Sequence, residues 1–412
     1  MRSAGWMLRF SDWLISEKTN LKILYFMYCA SVAAWQPWLA VYFKKVGISG
    51  LQIGIIMGIP PVMVFLVQPL WGMAADRWGR HRTLLFAMFL ASFVILGYIR
   101  NGGFWFFLLW TVIVAFATNP IGTLIDSLIL DYVKEQQDSS YGRFRMWGAI
   151  GWMVASPTVG WIITGRNITL LFPISMAVML VGWFTGFLRR DKSLRKGVIE
   201  QATWKNLSQV LRGNWQLVTF LAVVFFYGVG SAPVWSFYGV YLDDIGASHG
   251  LKGFAFGLDA LIELPFYFFS NVLVNRFGPR KVLTFAISMF TIRLFLYSFI
   301  STPLLAVSVE LLHGLSYSLF IVSAVEYVNE LVPPSWRATG QSLYAAACFG
   351  AGTLAGNTLS GYLYDQMPLQ QVYRFNGWLF LFVTAIAVLV FRNRFKKPES
   401  ELAQMNKTDI CD

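Results

Sequence analysis

Three observations predict an all-α membrane protein with twelve transmembrane helices in two pseudo-symmetric six-helix bundles: its composition, its series of apolar windows and an internal repeat. Of 412 residues, 56% are hydrophobic and only 13% are charged. An average soluble domain carries about 25% charge. The composition excludes a cytosolic enzyme, a disordered chain and a nucleic-acid-binding domain. Aromatic residues at 17%, with 17 Trp, suit rings placed at lipid interfaces and along a cavity. Three scattered cysteines, Cys29, Cys348 and Cys411, give no disulfide framework and no metal-ligand spacing.

A hydrocarbon core of about 30 Å takes about 20 apolar residues at ~1.5 Å rise each. Windows of that length fall at 22–43, 52–74, 82–99, 104–133, 143–164, 168–188, 216–242, 251–274, 281–300, 303–331, 338–362 and 371–391. The fourth, seventh and tenth are long and contain polar residues, so they are expected to tilt or to line a cavity. No ten-residue segments alternate with period two, which argues against a β-barrel. Residues 1–21 lack a cleavable apolar region, so the first span is expected to serve as the insertion signal.

Orientation follows from the basic loops. Arg77, Arg80 and Arg82 follow span two; Arg143 and Arg145 precede span five. Arg189, Arg190, Lys192, Arg195 and Lys196 follow span six; Arg276, Arg280 and Lys281 follow span eight. Arg392, Arg394, Lys396 and Lys397 follow span twelve. All lie on the side of the N-terminus, so both termini are expected to be cytoplasmic. Lys44 and Lys45 are the main exception. The net charge of +12 is therefore read as a topology signal, not as a nucleic-acid footprint.

The polar, basic segment 189–215 divides the chain. It is read as a cytoplasmic linker between an N-terminal six-helix bundle, 1–188, and a C-terminal one, 216–391, with a cytoplasmic tail at 392–412. The halves repeat without a gap. Ala40-Val41-Tyr42 resembles Gly239-Val240-Tyr241, and Val46-Gly47 matches Ile245-Gly246. Gly54 matches Gly253, and Asp76-Arg77-Trp78-Gly79 resembles Asn275-Arg276-Phe277-Gly278, all at one separation. Duplicated hydrophobic halves are what alternating-access transporters use, with the site at the interface near the midplane.

The segment after span two reads Gly72-Met-Ala-Ala-Asp76-Arg77-Trp-Gly79-Arg80-His81-Arg82. It resembles the signature loop of the major facilitator superfamily, and a second copy stands at Asn275–Lys281. Gly72 permits close helix approach, Asp76 can pair with a basic group or a helix N-terminus, and Arg77 and Arg80 can cap carbonyls and anchor at headgroups. Gly72, Asp76, Arg77, Gly79 and Arg80 are therefore the expected gating loop.

A narrower match lies in Tyr141-Gly142-Arg143-Phe144-Arg145-Met146-Trp147-Gly148-Ala149-Ile150-Gly151-Trp152. It resembles the start of helix five in the oligosaccharide:proton symporters and the related phenylpropionate-type permeases. In that family the positions matching Arg145 and Trp152 hold sugar hydroxyls and stack on the pyranose, and the acidic partner on helix four corresponds to Asp126. Arg293 and His313 stand at the spacing of the family's proton-coupling arginine and histidine. Ser316 replaces the glutamate expected after the histidine, and Glu310 replaces a lysine. Glu263-Leu264-Pro265 and the Arg337–Gly356 stretch look more like the phenylpropionate and nucleoside branches, where a span-eight glutamate comparable to Glu263 contributes to the substrate site.

The buried charges carry the same reading physically. A charge at the bilayer centre costs about 2.5–3.5 kcal/mol on insertion scales and marks function by default. Glu263 lies about twelve residues, or about 18 Å, into span eight. Arg293 and His313 reach similar depth from spans nine and ten, and Glu310 shares a helix face with His313. Two readings stay open: an acid–base cluster whose protonation sets the conformation, or a static salt bridge that fixes packing. Asp126 and Arg145 lie nearer the membrane edge, where a charge can snorkel.

The expected function is secondary active transport by alternating access, as proton-coupled uptake of a small organic solute such as a sugar, nucleoside or aromatic acid. Substrate binding is assigned to Asp126, Arg145, Trp152 and Glu263, and proton coupling to Glu263, Arg293, Glu310 and His313. The expected partners are the solute, protons and the lipid bilayer of the cell inner membrane, with no nucleic acid, and the chain is expected to be a monomer. No catalytic residue, cofactor or metal is expected. An efflux antiporter, an uncoupled facilitator and, from another class, a non-transporting membrane sensor are the alternatives. No ATP-binding loop occurs, which excludes a self-contained primary pump.

Overall fold

The computed structural model describes residues 16–100, 102–136, 140–188 and 214–392. The expected linker and tail lie outside these residues, save for Asn214, Trp215 and Arg392. Among the described residues the regular structure is helical, without strands. The helices are α1 (17–45), α2 (Gly50–Trp78), α3 (Arg80–Ile99), α4 (Phe104–Glu135), α5 (Tyr141–Ile162) and α6 (Ile168–Phe187) in the first half. In the second they are α7 (Trp215–Asp244), α8 (His249–Phe277), α9 (Pro279–Phe299), α10 (Pro303–Leu331), α11 (337–364) and α12 (Leu369–Arg392). Each of the twelve expected spans falls on one of them.

Nine of the twelve described helices are long and apolar enough to cross a membrane by themselves. The exceptions, α1, α5 and α11, have physical causes. Pro37 has no N–H to donate, and α1 passes through a 3₁₀ turn at Gln36–Trp38. A π-helical turn, Ala346–Gly352, interrupts α11. Helix α5 opens with Arg143 and Arg145 and is rich in small residues. All three pack among other helices, α1 against α5 and α6, α5 also against α8, and α11 against α2 and α7. A helix lined by protein needs less apolar surface than one lined by lipid.

The internal repeat is visible in local structure. Ser49 and Ser248 cap α2 and α8, accepting from Gln52 N at 3.3 Å and Leu251 N at 3.2 Å. The Tyr42 hydroxyl donates to Tyr98 O, and the Tyr241 hydroxyl to Tyr297 O at 3.1 Å. Gly79 and Gly278, at φ 90° and 82°, each form a one-residue break between two helices. Only glycine adopts that conformation without strain. The signature segment is thus not an extended loop. It is the last two turns of α2, this break, and the first turn of α3. Arg80 in it pairs with Asp131 of α4, while Asp76 is exposed.

The tight contacts between the halves lie between mid-depth and the end away from the described termini. Gly160 of α5 meets Gly253 of α8, where an added Cβ would stand 2.9 Å from the opposing Cα. Gly50, Gly54 and Gly58 of α2 face Gly361, Asn357 and Leu354 of α11 in the same way. Polar contacts close the rim. Asp365 accepts from Gly50 N at 2.6 Å and Leu51 N at 2.8 Å, capping α2 from the opposite half. Lys44 pairs with Asp244 and lies 3.7 Å from Asp243, and Lys45 Nζ lies 3.1 Å from His249 Nε2. The two lysines that broke the charge rule are therefore ones that tie the halves together.

This geometry predicts the effect of bulk at the crossing. A Cβ on Gly54 would run into the Asn357 backbone oxygen. Gly54→Val should force the halves apart at this end. In a background without native cysteines, Val41→Cys, fully buried where α1 meets Gly239 of the other half at the same end, should react faster with a thiol reagent when Gly54→Val is present. An unchanged rate would contradict the packing account.

Candidate functional site

Helix α10 is irregular where it carries the charges. It passes from α-helix through a 3₁₀ turn, Val309–Leu312, and a π-helical turn, Gly314–Ser318, before regular helix resumes at Leu319. Such turns re-aim side chains and release backbone groups, and π turns occur often at functional sites. Glu310 and His313, three residues apart across these turns, lie on the same side. His313 Nδ1 lies 3.9 Å from Glu310 Oε2.

Arg293 of α9 is the hub. It is 1% exposed, and Glu310 is 0% exposed, so both charges are out of water. Its Nη2 pairs with Glu310 Oε2, and its Nε donates to the Tyr297 hydroxyl at 3.1 Å. Tyr297 in turn donates to Glu310 Oε1. Its Nη1 lies 2.9 Å from His313 Nδ1 and 3.5 Å from Ser316 Oγ. The guanidinium also lies near the rings of Phe290 and Tyr297, at 5.7 and 5.6 Å from their centroids.

The hydrogen-bond inventory fixes the histidine. Guanidinium N–H groups only donate, so His313 Nδ1 must accept. The imidazole proton is then on Nε2, which donates to Glu263 Oε1 at 2.8 Å. His313 is a neutral imidazole held between a cation and a carboxylate, with Trp235 of α7 edge-on to its ring at 5.5 Å. A second proton, on Nδ1, would set donor against donor and push Arg293 away. Glu263 therefore does not meet Arg293 directly; it is reached through His313. Its side chain is 25% exposed, so this chain of contacts runs from an enclosed ion pair to a group that water reaches.

Asp259, one turn before Glu263 on α8, completes the cluster, and it was not among the expected residues. One atom each of Asp259, Glu310 and His313 lies within 4.8 Å of the others. Arg293 already occupies this group, and its charge opposes a metal cation there. The signal that could have found Asp259 is its i,i+4 relation to Glu263.

In the other half, Asp126 of α4 and Arg145 of α5 are linked by a residue that sequence reasoning also missed. The Tyr141 hydroxyl donates to Asp126 Oδ1 at 2.9 Å and accepts from Arg145 Nη1 at 3.1 Å. Arg145 is exposed and has further donors to offer. Tyr267 of α8 and Tyr317 of α10 both interact electrostatically with Arg145 and with Glu263. Arg145 of the first half and Glu263 of the second therefore both stand near these two tyrosines. The Trp152 indole N–H donates to Phe256 O of the other half at 3.0 Å, so it joins the halves at mid-depth.

A buried ion pair responds sharply to losing one partner. Removing one member leaves an uncompensated charge and costs about 3–5 kcal/mol, whereas replacing both by apolar groups is often neutral. Arg293→Met should lower the thermal unfolding midpoint of purified protein strongly, and Arg293→Met with Glu310→Leu should recover more than half of that loss. A double variant as unstable as the two single losses added together would contradict the pairing.

Known proteins resemble this chain over nearly its full length. A family model described as the MFS_1 like family matches residues 18–375. A maltose permease of Geobacillus stearothermophilus is 29% identical over 378 residues, covering 91% of this chain and 94% of the relative. A raffinose permease of Escherichia coli is 24% identical, covering 89% and 90%. The crystal structure of the nucleoside transporter NupG superposes with a TM-score of 0.80 at 18% identity, covering 92% of this chain and 99% of that one. At that identity the superposition speaks for the fold.

Proposed function

The chain belongs to the MFS_1 like family, and from that premise we propose that it couples proton entry to uptake of a small hydroxyl-bearing solute. It is a multi-pass membrane transporter with the major facilitator fold, not an enzyme. The observation that carries the finer reading is the continuous contact from the enclosed Arg293–Glu310 pair through neutral His313 to Glu263 at the cleft. A static salt bridge needs only the first two residues. A relay that lets a proton alter the cleft needs the others.

The solute class follows from what the cleft offers. Arg145 presents a planar fork of donors, and Glu263 and Asp126 present acceptors. A polyol satisfies both, because each hydroxyl donates and accepts. A carboxylate solute would meet Arg145 well but would face two acidic groups. A sugar is therefore the first candidate, as the names of the maltose and raffinose permeases suggest. A nucleoside, whose ribose carries the same vicinal hydroxyls, is the second. With the basic helix ends cytoplasmic, the closed end is the outer one, and the molecule is in an inward-facing state.

Reconstituted vesicles test the coupling. With an inside-alkaline gradient, labelled maltose or uridine should accumulate above the outside concentration, and a protonophore should abolish the excess. Simple equilibration of a transported solute, unaffected by the gradient, would leave a facilitator. Arg145→Lys should weaken binding of that solute about tenfold or more, because a point charge replaces a bidentate fork. Unchanged affinity would move the site away from α5.

A further inference from the structure

Proton coupling needs a titratable group that water can reach and that acts on the Arg293–Glu310 pair. Glu310 accepts from Arg293 on Oε2 and from Tyr297 on Oε1, so both of its oxygens are held as a carboxylate should be. One carboxyl oxygen of Asp259 lies within 4.8 Å of one of Glu310 and of a ring nitrogen of His313. Two carboxylates that close repel, and neither has a proton to donate to the other. Asp259 Oδ1 is buried and has no donor of its own. One proton between the two carboxyls removes both difficulties.

Resting on the symport reading above, we propose that Asp259 is the carboxylic acid of a proton-sharing pair with Glu310, and that its proton is the one exchanged during transport. Exposure separates the roles of the two residues. The Asp259 side chain is 23% exposed, while that of Glu310 is fully enclosed. Water in the cleft can deliver a proton to Asp259 and remove it, whereas Glu310 is reached only through its partners. Loading converts the Asp259 carboxylate and a hydronium ion to the acid and water; release is the reverse.

The groups facing the pair determine what release does. They are Glu263 on the same helix, Arg293 and Tyr297 of α9, and His313 of α10, with Tyr238 of α7 and Tyr373 of α12 close by. Arg293 is the only fixed cation among them. When Asp259 gives up its proton, two adjacent carboxylates face that one guanidinium. Arg293 is then drawn toward both and away from His313 Nδ1. The imidazole loses the donor that fixed its tautomer, and Glu263 loses its fixed partner. One protonation event at Asp259 is thereby transmitted to the carboxylate that faces the solute.

Infrared difference spectroscopy of the protein in lipid vesicles tests this without any solute. The wild type should show the carbonyl stretch of a protonated buried carboxylic acid, shifted in D₂O and lost on raising the pH. Asp259→Asn should abolish that band without lowering the unfolding midpoint, because the amide donates the same bond to Glu310. Glu310→Gln should also abolish it, since Asp259 would then ionise against Arg293. Glu263→Gln should keep it. A band that survives in Asp259→Asn, or a wild type without one, would overturn the assignment. Gradient-independent transport in the vesicle assay, with the band behaving as expected, would instead overturn the symport reading and leave the shared proton as a structural bond.

Discussion

A guanidinium enclosed at the middle of the second bundle is the constraint on which the rest of this site depends. Arg293 cannot lose its proton under ordinary conditions, and its burial must be compensated by partners on every donor it carries. That requirement explains why Glu310 is held by Arg293 and Tyr297 together. It also explains why His313 is compelled to accept on Nδ1. The tautomer in turn makes Nε2 a donor and orients it toward Glu263. Glu310 and His313, three residues apart on α10, both reach this one cation, and the chain there passes through a 3₁₀ and a π turn.

The two bundles share an ancestry of sequence but not of charge. Caps, glycine breaks and tyrosine–carbonyl bonds recur at equivalent positions in both halves. The first half carries an open triad of Asp126, Tyr141 and Arg145, while the second carries the enclosed network. The open side is suited to meet a solute and the enclosed side to register a proton. The glycine crossings and the Asp365 cap hold the far end shut, and these contacts must break when the cleft opens there.

Much of this was legible in the sequence. Twelve spans follow from the thickness of a bilayer, and depth along a helix placed Glu263, Arg293 and His313 at a common level. Spacing by three put Glu310 beside His313. Partners across helices were not legible. Asp259, Tyr297 and Tyr141 became visible only once the rotation of each helix about its axis was known, since depth alone does not determine which faces meet. Depth put Arg293 and Glu263 at one level but did not show that His313 stands between them. The signature segment also read as a loop, because its glycine and charges resemble loop composition. In the fold, a single glycine at positive φ suffices to turn the chain.

The central claim is that Arg293 fixes His313 as a neutral imidazole with its proton on Nε2. The chain has three histidines, His81, His249 and His313, so nitrogen-15 NMR of histidine-labelled protein in lipid can resolve each ring. His313, assigned through its substitution to Gln, should show a non-protonated Nδ1 and a protonated Nε2 at neutral pH. An imidazolium, or a neutral ring protonated on Nδ1, would contradict the account, because Arg293 could not then donate to it.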